Sequence, residues 1–296
     1  MLHGGVLDEL SLTLALLPNR SKLRELPEDL RFRSLLIDEF QDLSTLDLAL
    51  LRLIPTEDQN GFFVAGDTVQ RVLVKSLKLQ SVRLDIIGAR WERITKNYRN
   101  SRQILMAASH LANLYGNKAK KLGEEIEVLD PELAVRETGK PLALKVDPDQ
   151  EVAEAWRIAK DCIQNQAAIP WSVCLLTGSP EKIPVERILK ALPMDFPIKA
   201  DQITGEYIRT KDTMSVGTIG DSKGFEFSLV IIVGCGGEFL PSPLGCKEEV
   251  WREAFRLYVA MTRARDSVVM LYSGTPSEFL LAMKDDLEWK SLHPEE

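Results

Sequence analysis

Cysteine is scarce in this sequence, and its spacing argues against two classes of protein. Only four cysteines occur in 296 residues, and no two of them form a CxxC pair. Structural zinc sites and disulfide-stapled domains both rely on closely spaced or numerous cysteines. The four thiols lie in or near apolar segments, so we interpret them as reduced structural cysteines of a cytoplasmic protein.

Long hydrophobic runs are also missing. The longest later run, LVIIVGC at residues 229–235, is far shorter than the roughly 20 residues that a membrane-spanning helix needs. An apolar patch near the start, LSLTLALLP, follows Asp8 and Glu9, where a secretory signal would carry lysine or arginine. The sequence therefore predicts a soluble protein with no membrane partner.

An overall excess of positive charge, which would mark a nucleic-acid binder, is absent as well. The net charge is −7, and the apolar content of 45% and charged content of 27% are those of an ordinary globular protein. One segment departs from this average, because residues 71–102 contain nine basic and two acidic residues, a local net charge of +7. Such a stretch is either a solvated face or a surface that binds phosphate groups.

The pattern of apolar residues favours an α/β fold. Short β-branched runs alternate with segments of helical period, which is typical of parallel strands joined by crossover helices. Strands are predicted at residues 34–38, 61–67, 91–97, 141–146, 172–178, 213–219, 228–234 and 267–273. Helices are predicted at residues 44–54, 100–116, 149–166, 184–193 and 248–264. Ser44, Asn100 and Asp149 are predicted to cap three of these helices at their N-termini.

Two carboxylates follow the first predicted strand in the sequence LLIDEFQD. At the carboxyl end of a buried strand, Asp38 could hold Mg²⁺ through its water shell and Glu39 could polarise an attacking water. Taken alone, the pair could equally be the acidic start of the helix that begins near Ser44. The segments that follow decide between these interpretations.

Four further segments stand in a recognisable order after LLIDEFQD. They are FFVAGDTVQR (62–71), ITKNYRNSRQIL (94–105), SVGTIGDSKGFEFSLVIIVG (215–234) and RLYVAMTRAR (256–265). Together the five resemble motifs II to VI of the UvrD/Rep family of superfamily 1 DNA helicases, whose patterns are approximately DExQD, VGDxxQ, NYR, TxHxxKGLEF and YVAxTRA. The resemblance extends from about residue 34 to about residue 275.

The resemblance implies a RecA-like P-loop NTPase fold, in which helices flank a parallel sheet. We expect residues 1–93 to form an incomplete first RecA-like domain with motifs II and III. Residues 94–296 are expected to form a complete second RecA-like domain with motifs IV, V and VI, and to include a short connection at 117–140. The implied function is that of a UvrD-type helicase or translocase, a hydrolase that binds ATP and Mg²⁺ and moves 3′ to 5′ along single-stranded DNA.

Site residues are implied wherever the motifs match. The resemblance makes Asp38 the Mg²⁺-holding acid, Glu39 the general base and Gln70 a sensor of the γ-phosphate. Arg99 and Arg263 are expected to reach the γ-phosphate, because planar guanidinium groups suit the charge that develops there. Without its motif, Arg263 would be interpreted as an ordinary helix-surface arginine.

The remaining implied contacts concern the nucleotide and the DNA. Tyr98 is expected to stack on the base of ATP, Glu226 to contact the ribose, and Gly224 to allow a close approach of the backbone. The resemblance makes Thr218 face the DNA strand, and Arg71 and Lys75, from the basic stretch at 71–102, are also expected to contact single-stranded DNA. The family usually has aromatic residues after Gln70, and this sequence does not.

The first family motif, a Walker A loop of the form GxxxxGK[ST], does not occur in the sequence. Its single Gly-Lys pair is Gly139-Lys140, and proline follows it where a hydroxyl residue would bind Mg²⁺. Gly220 also stands where the family has histidine. We therefore expect the chain, taken alone, to bind ATP weakly and to hydrolyse it negligibly. Either the phosphate-holding half comes from elsewhere, for example from another polypeptide, or the chemistry is lost.

Three interpretations stay open at this point. The chain could be the C-terminal portion of a truncated or split ATP-dependent motor. It could instead be a non-catalytic module that binds DNA or a partner through residues 71–102, with Asp38, Glu39, Arg99 and Arg263 left from an ancestral motor. It could also be a fragment that does not fold by itself. Salt-dependent binding to single-stranded DNA without ATP would favour the second interpretation.

Overall fold

A computed structural model shows two compact units, residues 1–93 and residues 94–296. The structure describes residues 16–19, 21, 25, 27–30, 32–40, 43–55, 61–66, 96–120, 128–165, 168–204, 210–243 and 247–292. Within these ranges, no helix is both long enough and apolar enough to cross a membrane.

In the first unit, two short strands form a parallel pair. Strand β1 (Leu35–Ile37) lies beside strand β2 (Phe62–Val64), with Leu36 directly opposite Phe63. Parallel pairing agrees with the predicted fold class, because strands joined by a crossover segment run in the same direction. Short 3-10 turns precede the pair at Leu17–Asn19 and Glu28–Leu30.

Helix α1 (Thr45–Leu51) follows β1 and begins where the sequence predicts. The hydroxyl of Ser44 accepts a hydrogen bond from the N–H of Asp47 at 3.1 Å, and the Asp47 carboxylate accepts one from the N–H of Ser44 at 2.8 Å. This reciprocal capping box satisfies donors that the start of a helix otherwise leaves unpaired. The predicted N-cap at Ser44 is therefore confirmed.

The second unit is built on a large sheet whose strands all run in parallel. The second unit has nine strands among the described residues. They are β3 (Asn97–Ser101), β4 (Ala134–Arg136), β5 (Leu142–Lys145), β6 (Val173–Thr177), β7 (Lys199–Gln202), β8 (Thr213–Thr218), β9 (Phe227–Val233), β10 (Ala264–Tyr272) and β11 (Glu288–Ser291). Seven of them pair in the order β11-β5-β10-β9-β6-β8-β7, and every pair is parallel. Strands β3 and β4 form a separate parallel pair.

Helices follow β5, β6, β9 and β10 of this sheet and lead to the next strand, as parallel connections commonly do, and a further helix joins β3 to β4. They are α2 (Arg102–Lys120), α3 (Glu151–Gln164), α4 (Val185–Lys190), α5 (Lys247–Thr262) and α6 (Glu278–Ala282), with 3-10 turns at Pro131–Leu133, Pro170–Ser172 and Lys284–Asp286. The prediction of an α/β fold, with helices flanking a parallel sheet, is confirmed for the second unit.

The core of the second unit lies between the sheet and its helices. All five residues of β6 are buried, which explains the continuous apolar run in its sequence. Helix α3 turns one face inward, with buried apolar residues three or four positions apart. On that face the Trp156 side chain is fully buried, and its indole N–H donates to the carbonyl of Ile188 on α4 at 3.0 Å. This bond and the shared core hold α3 and α4 against the sheet.

The structure corrects several predicted boundaries. Asn100 is not a helix cap, because it lies inside β3 and its side chain bonds to distant carbonyl groups. Asp149 is not a cap either, since the N-cap position of α3 is Gln150 and no side chain hydrogen-bonds there. The strand predicted at 91–97 instead begins at Asn97, and residues 91–95 lie outside the described part of the chain.

The predicted connection at 117–140 contains more regular structure than its polar sequence indicates. Helix α2 continues to Lys120, and β4 occupies Ala134–Arg136. Residues 121–127 between them lie outside the described ranges. In the described parts of this segment, polar composition therefore does not mean an absence of secondary structure.

Candidate functional site

In the first unit, the acidic pair lies at the carboxyl ends of both strands. Asp38 follows β1 directly, and the N–H of Ala65 after β2 donates to the carbonyl of Ile37 at 2.8 Å. The N–H of Phe40 returns a bond to the carbonyl of Ala65 at 3.1 Å. These two bonds hold the loop that carries Asp38 and Glu39 at the edge of a parallel sheet where α/β proteins bind ligands.

Glu39 has an unusual backbone conformation. Its φ angle is +52°, and among the described residues it is the one non-glycine residue with a positive φ. A side chain in this left-handed region costs on the order of 1 to 2 kcal/mol. Its N–H also bonds to the Asp38 carboxylate at 2.8 Å. Strain of this kind occurs where the chain must aim a side chain in a particular direction, which fits a functional role for Glu39.

The Asp38 carboxylate is exposed and suits a hydrated magnesium ion. Mg²⁺ usually keeps several waters and is held by one or two carboxylates together with substrate phosphates. Among the described residues, no group of three or more His, Cys, Asp or Glu side chains could form a metal cage. The exposed Asp38 carboxylate therefore fits a Mg²⁺ ion that is held mainly by water and by substrate phosphates.

In the second unit, two of the predicted site residues form an ion pair. The Arg99 guanidinium lies 2.5 Å from the Glu226 carboxylate, and the two side chains are 38% and 46% exposed. Arg99 is in β3, whereas Glu226 immediately precedes β9. An exposed pair of this kind is worth no more than about 1 kcal/mol, so a phosphate group could displace the carboxylate from Arg99 at low cost.

The backbone around Arg99 is shaped by a neighbouring amide. The side-chain oxygen of Asn97 accepts hydrogen bonds from the N–H groups of Arg99 and Asn100, each at 2.9 Å. The Asn97 amide nitrogen donates to the Asn100 side-chain oxygen at 3.2 Å. This local turn fixes the direction in which Arg99 leaves the strand, and it leaves Tyr98 on the surface with 66% exposure. An exposed tyrosine of this kind is available for stacking.

Arg263 lies between the end of α5 and the start of β10. Its side chain is 1% exposed, and its Nε donates to the carbonyl of Val259 at 3.2 Å. The simple interpretation as a helix-surface arginine is therefore excluded. A buried guanidinium has little freedom to search for a ligand, so the placement of its backbone determines where it points.

The backbone around Arg263 is held by hydrogen bonds from two other motif segments. The Asn100 amide nitrogen donates to the carbonyls of Thr262 and Ala264, both at 2.7 Å. The N–H of Phe227 donates to the carbonyl of Arg263 at 2.9 Å. The carbonyl groups of Thr262, Arg263 and Ala264 thus all accept hydrogen bonds. Their donors are Asn100, which directly follows Arg99 in the sequence, and Phe227, which directly follows Glu226. We name this set of contacts, made by Asn100 and Phe227 on residues 262–264, the arginine clamp.

Sequence reasoning missed the role of Asn100. Asparagine directly before a helical pattern predicts a helix cap, whereas Asn100 lies in a strand. Its actual bonding partners lie 162 and 164 positions away in the sequence. The one signal available was its position directly after the Asn97-Tyr98-Arg99 motif.

The turn after β8 contains two further predicted residues. The N–H of Thr218 donates to the Asp221 carboxylate at 2.8 Å, and its hydroxyl accepts from the N–H of Asp221 at 3.3 Å. Gly224 has a φ of +81°, a conformation that favours glycine. A Cβ on Gly220 would lie 3.5 Å from the Thr218 hydroxyl, an ordinary contact. The backbone at Gly220 therefore has room for the β-carbon of the histidine that the family pattern carries there.

The conformation of Gly224 leads to a stability prediction. Gly224→Ala should lower the free energy of unfolding by about 1 to 2 kcal/mol, because alanine strains the left-handed backbone. Steric crowding is not the cause, since no atom lies within 4 Å of the added Cβ. Gly139→Ala is the matched control, with equally open space and no left-handed φ, and should change stability by less than about 0.5 kcal/mol. Equal losses in urea unfolding of both variants would contradict this account.

The predicted contacts of Gln70, Arg71 and Lys75 lie outside the described residues. Their roles toward the γ-phosphate and single-stranded DNA therefore stay predictions from the sequence.

Comparisons with known proteins agree with the motif order. The UvrD/REP helicase N-terminal domain matches residues 7–73, and the UvrD-like helicase C-terminal domain matches residues 195–275. The chain belongs to the UvrD/Rep-like helicase family. The segment from 7 to 73 contains the acidic pair, and the segment from 195 to 275 contains Glu226 and Arg263.

Individual relatives of this helicase family match over part of the chain. ATP-dependent DNA helicase Rep from Buchnera aphidicola subsp. Schizaphis graminum is 34% identical over 93 residues, and DNA helicase II from Escherichia coli K12 is 34% identical over 97 residues. These matches cover 27% and 31% of this chain. The chain spans only 14% and 13% of the length of those two curated relatives.

Among solved structures, the C-terminal domain of a possible DNA helicase from Lactobacillus plantarum WCFS1 is similar to this chain. The match covers 65% of this chain and 98% of that one, with 16% sequence identity and a TM-score of 0.45.

Proposed function

We propose that this chain is a portion of a UvrD-type, ATP-dependent DNA helicase or translocase, in which ATP hydrolysis drives 3′ to 5′ movement along single-stranded DNA. The observation that carries the proposal is the arginine clamp. It ties Arg263 to the two segments that carry Arg99 and Glu226. Two arginines on one braced framework are the groups expected to stabilise charge on a transferring phosphoryl group.

In this proposal the reaction is attack of water on the γ-phosphorus of ATP. Glu39 takes the proton of the attacking water, the bond between the γ-phosphorus and the bridging oxygen breaks, and ADP and phosphate leave. Asp38 would hold a Mg²⁺ ion that neutralises phosphate charge. Arg99, Arg263 and Gln70 would contact the γ-phosphoryl oxygens, and Glu226 would turn from Arg99 to the ribose once a phosphate group replaces it.

The chain alone should not complete this reaction. Backbone N–H groups of a Walker A loop normally surround the phosphates, and its lysine offsets their charge. The sequence has no such loop, so Asp38 and Glu39 would meet ATP with negative charge and little to compensate it. We therefore propose that a polypeptide carrying a Walker A loop completes the site.

The test is phosphate release measured with the pure chain, with a Walker A polypeptide of the same family, and with both together. We expect negligible release from either alone and DNA-stimulated release from the mixture. Glu39→Gln in the mixture should lower the rate by about 10² to 10⁴, because it removes the general base.

Two results would contradict parts of the proposal. DNA-stimulated release by the pure chain, lost in Glu39→Gln, would show that no second polypeptide is needed. Absence of release from the mixture, together with salt-dependent binding of single-stranded DNA by the chain without ATP, would favour a non-catalytic binding module.

A further inference from the structure

We propose that Asn100 is a positioning residue that fixes the peptide groups on both sides of Arg263 to the strand that carries Arg99. This inference rests on the proposed function insofar as Arg263 acts on a phosphate group. Asn100 itself is buried, at 1% exposure, and we do not propose that it contacts a reacting atom.

The hydrogen-bonding capacity of Asn100 matches its surroundings. A carboxamide has two N–H donors and one oxygen acceptor. Both donors are used, on the carbonyls of Thr262 and Ala264, and the oxygen accepts from the Asn97 amide. The opposite orientation of the amide would place its oxygen against two carbonyl oxygens. The bonding partners therefore define the orientation, and no other side chain of similar size offers the same set of groups.

The position of Arg263 follows from these bonds. Its own N–H bonds back to the carbonyls of Val259 and Ala260, at 3.1 and 3.2 Å, so α5 fixes it from one side. Asn100 and Phe227 hold the carbonyl groups of Thr262, Arg263 and Ala264, which lie before and after the Arg263 side chain in the backbone. Because the buried side chain cannot swing freely, a shift of this backbone would move the guanidinium by a similar distance. Misplacement of a catalytic group by about 1 Å can cost about 10²-fold in rate.

A purely structural role is the alternative, because any buried asparagine stabilises the fold. Ser101 provides the matched control, since it is adjacent, fully buried and hydrogen-bonded. Its hydroxyl accepts bonds from the N–H of Ile104 and the hydroxyl of Thr138, and not from the segment around Arg263. Ser101→Ala should lower stability without moving Arg263.

The first measurement needs no nucleotide. Amide hydrogen exchange in the full chain reports the bond from Phe227 N–H to the Arg263 carbonyl. Asn100→Asp keeps the size of the side chain but places a carboxylate against two carbonyl oxygens, so exchange at Phe227 should rise at least about tenfold. Asn100→Ser, which is too short to reach either carbonyl, should act in the same direction. Ser101→Ala should raise exchange at Phe227 by no more than its loss of global stability accounts for, whereas the Asn100 variants should exceed their own loss of global stability.

The second measurement is a double-mutant cycle on ATP hydrolysis by the chain with a Walker A polypeptide. Asn100→Ser should lower kcat by about 10- to 100-fold with little change in KM, which is the signature of a lost transition-state interaction. In an Arg263→Ala background, the same change should have almost no further effect.

The outcomes separate the two proposals. Unchanged exchange at Phe227, or a full additive loss of kcat in the Arg263→Ala background, would overturn the positioning role. If the wild-type mixture does not hydrolyse ATP at all, the proposed function fails, and the exchange measurement alone then decides whether Asn100 fixes this backbone.

Discussion

Replacing Arg99 with alanine should lower kcat for ATP hydrolysis by about 10³-fold or more when the chain is combined with a Walker A polypeptide. Charge accumulates on the γ-phosphoryl oxygens in the transition state, and a guanidinium group offers two parallel N–H donors to it. Arg99→Lys should recover only part of the loss, because the ammonium group retains the charge but lacks the planar pair of donors. The measurement is steady-state phosphate release at saturating ATP and DNA.

Arg136→Ala is the control for this prediction. The Arg136 guanidinium also forms a partly exposed ion pair, with Asp266, and its side chain is 34% exposed compared with 38% for Arg99. The change removes the same charge from the same unit, but from β4, outside the family motifs. Its kcat should stay within about twofold of the wild type. Similar losses from both variants would mean that net charge, and not the position of Arg99, controls the rate.

Local signals in the sequence were sufficient for several elements. The capping box at Ser44 involves Asp47, three residues away, so composition and spacing alone indicate it. Strand β6 is buried throughout, and its continuous apolar run is visible in the sequence. The prediction of a parallel α/β sheet follows from the alternation of such runs with helical segments.

Edge strands gave no comparable signal. Strand β11 has all four residues exposed, and β7 alternates between exposed and half-buried positions. Both lie at the outer edges of the seven-stranded sheet, where a strand needs little apolar surface. Because a strand is visible in a sequence mainly through its hydrophobic periodicity, a strand without an apolar face gives no such signal.

The candidate site shows the same division between local and distant information. The motifs predict Arg99, Glu226 and Arg263 as separate site residues, and the structure adds the ion pair between the first two. The arginine clamp could not be read from the sequence, because Asn100 bonds to residues 162 and 164 positions away and Phe227 bonds to Arg263 on a different element. Long-range pairing of this kind depends on the fold as a whole, and no local propensity encodes it.

The second large effect concerns pH and arises from a buried carboxyl group at the start of α3. Glu151 is 1% exposed, and burial raises its pKa to about 7, although the N–H of Gly234, the Ser273 hydroxyl and the charge of Arg187 oppose this rise. In the unfolded chain the same group would have a pKa near 4.5. The folded state therefore keeps its proton at pH values where the unfolded chain has lost it.

The sign of the pH effect follows from that difference. The stabilisation is fully present below the unfolded pKa and is lost as the pH rises through the folded pKa of about 7. Between about pH 5 and about pH 8, the free energy of unfolding should fall by about 2 to 3 kcal/mol through this group. Urea unfolding of the full chain, followed by circular dichroism across this range, measures the effect.

Glu151→Gln tests whether this carboxyl group is the source. The amide oxygen of glutamine can still accept the bond from Gly234 N–H, but the side chain no longer titrates. The variant should therefore lose most of the decline in stability between about pH 5 and about pH 8, and should be more stable than the wild type at the upper end. Glu186→Gln makes the same chemical change at an exposed position of α4 and should keep the wild-type slope. If Glu151→Gln keeps that slope as well, other groups control the pH dependence and the proton on Glu151 does not contribute to it.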